Sequence, residues 1–376
     1  MPVRFHMVVL LAAVVPIRAQ QSDTPAPFEN WNLYYQATSI GDYHGSFPAQ
    51  YSGALSLSNK PERDVSLTST LFLGFRLGHA QFYIDPEIAG GRGFSGVNGI
   101  ANAPNGELPR VASATPKPYL ARAYVTYDFG FGDEKENIES DENQLGGPRP
   151  MNRYSITVGR FTVTDFFDDN RYTHDPRTQF MAWGTMYNGA WDYPADTRGY
   201  TWGWMHEFHT RRWSLRYGSA AEPRVANGLR FDRRLFRDRA DMIEGEIRNA
   251  FHGHQGTVRL LGFLLHTDSG SYADALKLAR ETSSRPDIGL VHRPGTLKYG
   301  VGISADQELV KDVGVFARLG WNDGKTESFA FTAIDRLATG GISVTGSRWR
   351  RKEDTVSTAL TVGGISGVHA SYLAAG

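Results

Sequence analysis

Cysteine is absent from this chain of 376 residues, so it can form neither disulfide bridges nor thiolate metal sites. An excess of either charge is absent too, since 40 lysine and arginine residues face 40 aspartate and glutamate residues, which argues against a nucleic-acid surface. After residue 19 the chain lacks any apolar run of about 18 residues or more, so no helix is expected to cross a bilayer. A soluble β protein and a β-barrel remain as classes.

The first residues carry an export signal. Arg4 precedes an apolar run from Met7 to Val15, and the small residue Ala19 stands before the polar Gln20. This order is typical of a secretory signal peptide. We therefore predict a signal peptide over residues 1–19 and a short N-terminal arm over residues 20–30.

Alternation of apolar and polar residues predicts an all-β fold. Within 64–77, for example, Val65 and Leu67 fall on one face while Ser66 and Thr68 fall on the other. The same period predicts about 13 strands. They are 31–39, 64–77, 81–88, 119–129, 154–162, 201–208, 213–218, 241–250, 257–266, 298–309, 312–321, 336–346 and 355–363.

The connections between these strands alternate in length. The links at 78–80, 209–212, 251–256 and 310–311 are short, and those at 40–63, 89–118, 163–200, 219–240, 267–297 and 322–335 are long. Outer-membrane barrels have short periplasmic turns and longer outer loops, whereas in a soluble sandwich loop length is not expected to differ between the two ends of the sheet. Residues 130–153 break the rule, and their charges predict an acidic, solvated excursion.

The long link at 163–200 is dense in Trp, Tyr, Asp and Arg and keeps neither a strand period nor a helix period. Such a stretch suits a sugar, because a pyranose stacks its C–H face on an aromatic ring and offers a rim of hydroxyls to planar polar groups. A buried aromatic plug with a satisfied ion-pair network explains the same composition, and composition alone does not separate the two.

Several blocks of the sequence resemble one known family. They are Pro86–Gly93, Pro104–Glu107, Asp141–Leu145, His174–Met181, Tyr187–Gly203 and Gly314–Gly324. These blocks look like the carbohydrate-selective porins of the OprB type, and the likeness runs from about Trp31 to Leu373. The resemblance implies a transmembrane antiparallel β-barrel of the 16-stranded porin type in the outer membrane. Residues 31–376 would form the barrel domain, with 163–200 as an infolded constriction loop.

The strand count departs from that expectation. An odd count of about 13 is unusual for a bacterial single-chain barrel, and the chain does not end in a terminal aromatic-ended strand. As written, it would leave two unpaired strand edges in lipid. We therefore expect the barrel domain to be C-terminally incomplete.

The resemblance directs attention to charged residues facing the lumen and to the infolded loop. From the wall and its turns the candidate substrate-binding residues are Arg76, Asp85, Glu87, Arg92, Arg122 and Arg318. From the constriction they are Asp175, Arg177, Trp183, Trp191, Asp192, Arg198 and Trp202. Arginines donate to hydroxyl oxygens in pairs while carboxylates accept. For each single residue, a salt bridge that holds a loop to the wall is the competing role.

No catalytic residue, cofactor or metal is predicted. Gly324 and Lys325 end like a P-loop, but Leu319 stands where that motif needs glycine. His252 and His254 lack a third ligand nearby. The acidic residues of 165–170 miss the spacing of a calcium loop, which leaves Ca²⁺ binding there a minor possibility.

Three functions follow as hypotheses. The first is an outer-membrane sugar porin whose partners are mono- and oligosaccharides in transit, membrane lipid and lipopolysaccharide, with the arginine-rich segment 224–239 as a possible phosphate contact and a monomer or homotrimer as the assembly. The second is an exported glycoside hydrolase that uses two carboxylates such as Asp175 and Asp192. The third is a soluble glycan-binding β-sandwich.

Overall fold

The structure, a computed structural model, describes residues 28–53, 56–96, 105–107, 113–231, 237–330 and 332–376. The predicted signal peptide and residues 20–27 of the predicted arm lie outside the described residues, as do Pro104 and two members of the arginine-rich segment, Arg233 and Arg234. Within the described ranges, no helix is both long enough and apolar enough to cross a membrane.

Strands dominate the described part of the chain. They are β1 Trp31–His44, β2 Glu62–Leu77, β3 Ala80–Gly91, β4 Lys117–Gly130, β5 Lys135–Ile138, β6 Gly147–Pro150, β7 Arg153–Phe161, β8 Thr201–His209, β9 Trp213–Ala221, β10 Arg239–Phe251, β11 His254–Ser269, β12 Arg293–Val310, β13 Val313–Asn322, β14 Arg336–Thr345 and β15 Thr355–Gly364. The α-helices are α1 Trp183–Met186, α2 Tyr272–Thr282 and α3 Gly367–Ala375, and short 3-10 helices cover Phe94–Gly96, Val163–Asp165, Ile288–Val291 and Gly346–Trp349.

The main sheet contains 13 antiparallel strands in chain order, β1 to β4 and then β7 to β15. Each predicted strand overlaps one of these, so the all-β prediction and its strand count are confirmed. β5 and β6 pair only with each other, in a separate two-stranded hairpin. β1 and β15 are the edges of the main sheet as described.

The sheet is polar on its inner face and apolar on its outer face. On β2, Thr68 and Thr70 are buried, whereas Leu67 and Leu71, which flank this pair, are exposed. On β13, Arg318 is fully buried while its neighbour Leu319 is 55% exposed. A soluble protein buries its leucines and exposes its arginines, so this inverted pattern belongs to a sheet with lipid outside and polar groups within.

The inverted pattern predicts the effect of a charge on the outer face. Leu260, in the middle of β11, is 59% exposed. Replacing it with arginine is expected to cost about 2–4 kcal/mol of unfolding free energy in lipid vesicles, because the charge would lie near the bilayer midplane. The matched control is Leu290→Arg, at a 69% exposed leucine in a long connection. That change is expected to stay within about 0.5 kcal/mol. Equal costs at both sites, measured by urea titration, would contradict a lipid-facing outer surface.

The apolar core lies between the inner face and residues 163–200, which we call the inward loop. Loop residues Phe167, Trp183 and Trp191 pack in one buried cluster with wall residues Met242 and Phe263. Apart from the connection between β4 and β7, the long connections leave one end of the sheet, as the loop-length alternation predicts, and the inward loop leaves from that end.

The prediction of an acidic, solvated excursion over residues 130–153 is correct for the exposed residues 130–135 and wrong for the part that follows, which packs on the wall. Residues 131–152, which we call the inner hairpin, contain β5 and β6 and turn back onto the inner face. The Asn32 side chain on β1 donates to the Gln144 carbonyl at 2.8 Å, and Leu145 is buried. Net acidity did not keep the whole segment in solvent, because groups near its tip, such as Asn143 and Leu145, find partners on the wall.

Candidate functional site

A cavity of about 500 Å³ lies between the inward loop, the inner hairpin and the inner face of the sheet. Its volume falls within the range of about 300–1,000 Å³ that small-ligand sites occupy. Aromatic side chains from the wall and from the inward loop line it, namely Tyr83, Tyr124, Phe166, Tyr187 and Tyr200. The cavity therefore offers ring faces beside charged groups.

Three predicted site residues, Arg122, Asp175 and Arg177, line this cavity. Arg122 on β4 donates from Nε and Nη2 to both oxygens of Asp165 in the inward loop, at 2.7 and 2.8 Å. Its Nη1 reaches Asp85 on β3 at 3.3 Å. A β-bulge opposite Asp85 and Pro86 aids this arrangement, because it lets Tyr119 and Arg122 on β4 both contact groups on the inner side.

Arg177 links the inward loop to a pair of buried carboxylates. Its Nε and Nη2 donate to the two oxygens of Glu107 at 2.9 and 3.1 Å, the paired geometry that guanidinium groups favour. Nη2 also lies 3.8 Å from Glu87 on β3, and Glu87 accepts from Tyr119. The Asp175 carboxylate accepts from the Arg177 backbone N–H at 2.9 Å, which shapes the loop tip. Arg177 thus holds one wall of the cavity in place.

Arg198, Arg76 and Arg92 lie around the cavity rather than in its lining. The Arg198 guanidinium stacks over the Tyr119 ring, 3.9 Å from its centroid. Arg76 lies over the Phe28 ring at 4.4 Å, near the short-turn end of β2. Arg92 has an exposed side chain, and its backbone N–H donates to the Val65 carbonyl at 3.0 Å. The structure does not bring Arg92 to the site.

The tryptophans chosen from the inward loop do not present a stacking face to the cavity. Trp183 and Trp191 are 5% and 0% exposed and belong to the buried cluster behind the loop. Trp202, on β8, is 45% exposed on the outer face of the sheet, because strand alternation places Thr201 and Met205 inward. The aromatic side chains that line the cavity are instead mainly tyrosines, of which Tyr83, Tyr187 and Tyr200 are at most 6% exposed.

Asp192 and Arg318 fasten the inward loop to the wall. The Asp192 carboxylate accepts from Lys298 Nζ on β12 at 2.9 Å and from two backbone N–H groups, those of Phe329 and Ala330. Arg318 on β13 donates to Asp168 Oδ1 at 2.8 Å and to the backbone carbonyls of Thr185 and Thr173. Both residues therefore have the competing role considered above, an ion pair between loop and wall.

Asn188 shows how closely the inward loop approaches the wall. Its amide lies against Gly302 on β12 and Gly320 on β13, and a Cβ at either glycine would overlap that amide. The Asn188 N–H donates to Asp168 at 2.7 Å, and its Oδ1 accepts from the Ala190 N–H at 3.1 Å. Glycine at positions 302 and 320 leaves the space that the Asn188 amide occupies, so the wall and the inward loop are complementary at this point.

Sequence reasoning missed several residues that bound the cavity. They are Asp165, Tyr124, Tyr200 and, from the inner hairpin, Asp141 to Leu145. The period of β4 marked Tyr124 as inward, and Asp141–Leu145 stood out as a block, but neither signal implied a shared cavity. Across the described ranges, no group of three or more His, Cys, Asp or Glu side chains is placed to hold a metal ion.

Comparison with known proteins agrees with this architecture. A family model described as carbohydrate-selective porin, OprB family, matches residues 56–375. A solved structure of OprB from Pseudomonas putida aligns with a TM-score of 0.64 at 14% identity, covering 91% of this chain and 77% of that chain. This likeness supports the fold alone.

Two further solved structures align less well. OccAB1 from Acinetobacter baumannii gives a TM-score of 0.44 at 10% identity, covering 93% of this chain and 84% of that chain. OccK2 from Pseudomonas aeruginosa in complex with glucuronate gives 0.39 at 8% identity, covering 90% and 82%. No sequence among curated proteins matches this chain.

Proposed function

This chain belongs to the OprB family of carbohydrate-selective porins, and we propose that sugars cross the outer membrane through its cavity by passive diffusion. The family and the fold point to a channel rather than an enzyme. The inverted sheet carries the proposal, because its charged inner face encloses a cavity while its leucines and valines face outward. Lipid surrounds such a sheet, and water and solutes fill its interior.

The cavity chemistry suits neutral, hydroxyl-rich solutes. Tyrosine rings give flat faces for the C–H side of a sugar, while Arg122 and Asp175 represent the donors and acceptors that hydroxyl groups need. The inward loop acts as the constriction, since it is held to the wall by Asp165, Arg177 and Asp192. Contacts with lipid and lipopolysaccharide, and the choice between monomer and homotrimer, stay predictions.

The hydrolase alternative needs two carboxylates that face one substrate. Asp175 lines the cavity, but Asp192 is 2% exposed and bonded to Lys298 and two backbone N–H groups. This geometry disfavours a shared catalytic role. The sandwich alternative needs two packed sheets, whereas 13 strands form one sheet here.

Reconstitution in planar bilayers tests the channel. We expect discrete conductance steps that added glucose or maltose reduces in a concentration-dependent way, and liposomes that swell in glucose. Sucrose-loaded empty liposomes and heat-unfolded protein serve as controls. Folded protein that inserts into the bilayer but gives no conductance, or conductance that no sugar reduces, would contradict the proposal.

A further inference from the structure

We propose that the inner hairpin is the second wall of the constriction and selects neutral sugars over acidic ones at the short-turn end. The inference rests on the proposed channel function and deepens it. The inward loop enters from the end with long connections, whereas the inner hairpin enters from the opposite end, and both line the same cavity. A solute that passes the first element therefore meets the second.

The tip of the inner hairpin reaches the wall residues that also hold the inward loop. Asn143 Nδ2 donates to Asp85 Oδ2 at 2.9 Å, and the same oxygen accepts from Arg122, which in turn binds Asp165 of the inward loop. The Leu145 N–H donates to the Tyr83 hydroxyl at 3.2 Å. These contacts bring the hairpin tip to the same wall residues that anchor the inward loop.

The base of the inner hairpin is fixed rather than hinged. Arg149 donates to both oxygens of Asp128 on β4, at 2.7 and 2.9 Å, and Arg153 pairs with Glu136. The chain before β1 adds a further tie, because the Gly146 N–H donates to Glu29 Oε2 at 2.8 Å. Because these charge-assisted hydrogen bonds fix its base, the inner hairpin forms a rigid wall rather than a gate that opens.

Unsatisfied acceptors at the tip indicate what the wall would bind. Asp85 Oδ1 and Asn143 Oδ1 are buried and have no hydrogen-bond partner within the described structure, and Asp85 is fully buried. Of these two residues only Asn143 lines the cavity, and its acceptor calls for a donor such as the hydroxyl group that the proposed cargo carries. Asp141, Glu142 and Gln144 add further acceptors to the cavity lining.

Charge supplies the discrimination. The inner hairpin carries six acidic residues against two basic ones, and Asp141 and Glu142 line the cavity. Burial and the neighbouring carboxylates of Asp141 and Asp175 raise the pKa of Glu142, although Arg177 and Arg122 oppose this. The cavity lining as a whole holds six carboxylates against four arginines, and this excess of negative charge in a narrow passage lowers the local concentration of anions. Neutral sugars are spared that penalty.

The test is neutralisation of the tip in the full chain, as the double variant Asp141→Asn with Glu142→Gln. In liposome swelling, the rate for glucuronate relative to glucose is expected to rise about tenfold, the lower end of the effect that a charged cleft has on ion encounter. The reversal potential in a KCl gradient should move toward anion selectivity. The matched control is Glu134→Gln, which removes one charge from the same hairpin at an exposed side chain paired with Arg211.

The outcomes separate the two proposals. Glucose-blocked conductance in the parent protein, with the glucuronate to glucose ratio unchanged in the double variant, overturns the role of the hairpin and leaves the channel intact. A parent protein without conductance overturns the channel itself. A tenfold change in Glu134→Gln as well as in the double variant would also overturn the hairpin proposal, since the effect would then not belong to the tip. Heat-dependent gel migration confirms that each variant is folded.

Discussion

Replacing Arg177 with methionine is expected to shift the reversal potential of the reconstituted channel strongly toward cation selectivity. Arg177 lines the cavity and forms a paired hydrogen bond with Glu107, which is 1% exposed, with Glu87 also within 3.8 Å. Methionine keeps most of the volume but removes the positive charge, so two buried carboxylates lose the guanidinium that offsets them. Truncating one partner of such a pair costs about 2–5 kcal/mol.

The measurement is the zero-current potential across a planar bilayer in a KCl gradient at neutral pH. Arg177→Lys keeps the charge and loses the paired geometry, so its selectivity should stay near that of the parent while its sugar block changes. Arg171→Met removes an arginine from the same loop at a half-exposed side chain, whose contact with Glu308 is 3.9 Å long. It should have little effect. An unchanged zero-current potential in Arg177→Met would show that this arginine does not set the field in the pore.

The strands could be predicted from sequence because lipid imposes one rule along their whole length. Most outward positions on β2, such as Leu67 and Leu71, are apolar and most inward ones are polar, with Ser69 and Phe72 as exceptions. The alternation therefore persists over most of the strand. Loop-length sorting added an independent signal, since turns and loops leave opposite ends of the sheet. Neither signal required knowledge of any long-range contact.

The candidate site was predicted less well, because the alternation that shows which way a strand residue faces does not apply to the irregular backbone of the inward loop. Composition marked 163–200 as special, yet it did not distinguish Trp191, which packs in the buried cluster, from Tyr200, which lines the cavity. That difference depends on how the loop meets the wall, for instance on the space that Gly320 leaves for Asn188. Such contacts join two residues that are far apart in the chain, so a single sequence does not reveal them.

Trp202 could have been placed correctly. It lies inside β8, where Thr201, Met205 and Glu207 alternate with Trp202 and Phe208, and that alternation is legible in the sequence. Grouping Trp202 with the aromatic residues of the loop overlooked that the alternation along β8 places it on the outer face of the sheet. The inner hairpin is a different case, because its acidity suggested solvent while its actual partners, Asp128 for Arg149 among them, are remote residues of the wall.

Replacing Arg318 with methionine is expected to destabilise the protein by about 3–5 kcal/mol, since it breaks a fully buried ion pair and leaves a charge without its partner. Arg318 is 0% exposed, binds Asp168 at 2.8 Å and donates to two loop carbonyls. Its loss therefore releases the inward loop from β13. Equilibrium unfolding in detergent or lipid gives the free energy, and open-channel noise should rise because a loosened loop fluctuates within the pore.

A double-mutant cycle with Asp168→Asn separates the ion pair from packing. Asparagine keeps an oxygen that can accept from the Asn188 N–H, so the loop turn at that point can persist. If the pair itself is the stabilising feature, the double variant is destabilised less than the sum of the single variants, by about 0.5–3 kcal/mol. Strict additivity would instead assign the cost of Arg318→Met to lost packing and to the carbonyls of Thr173 and Thr185. Because the same bonds hold the inward loop to β13, a coupled result would also tie the stability of the fold to the position of that loop.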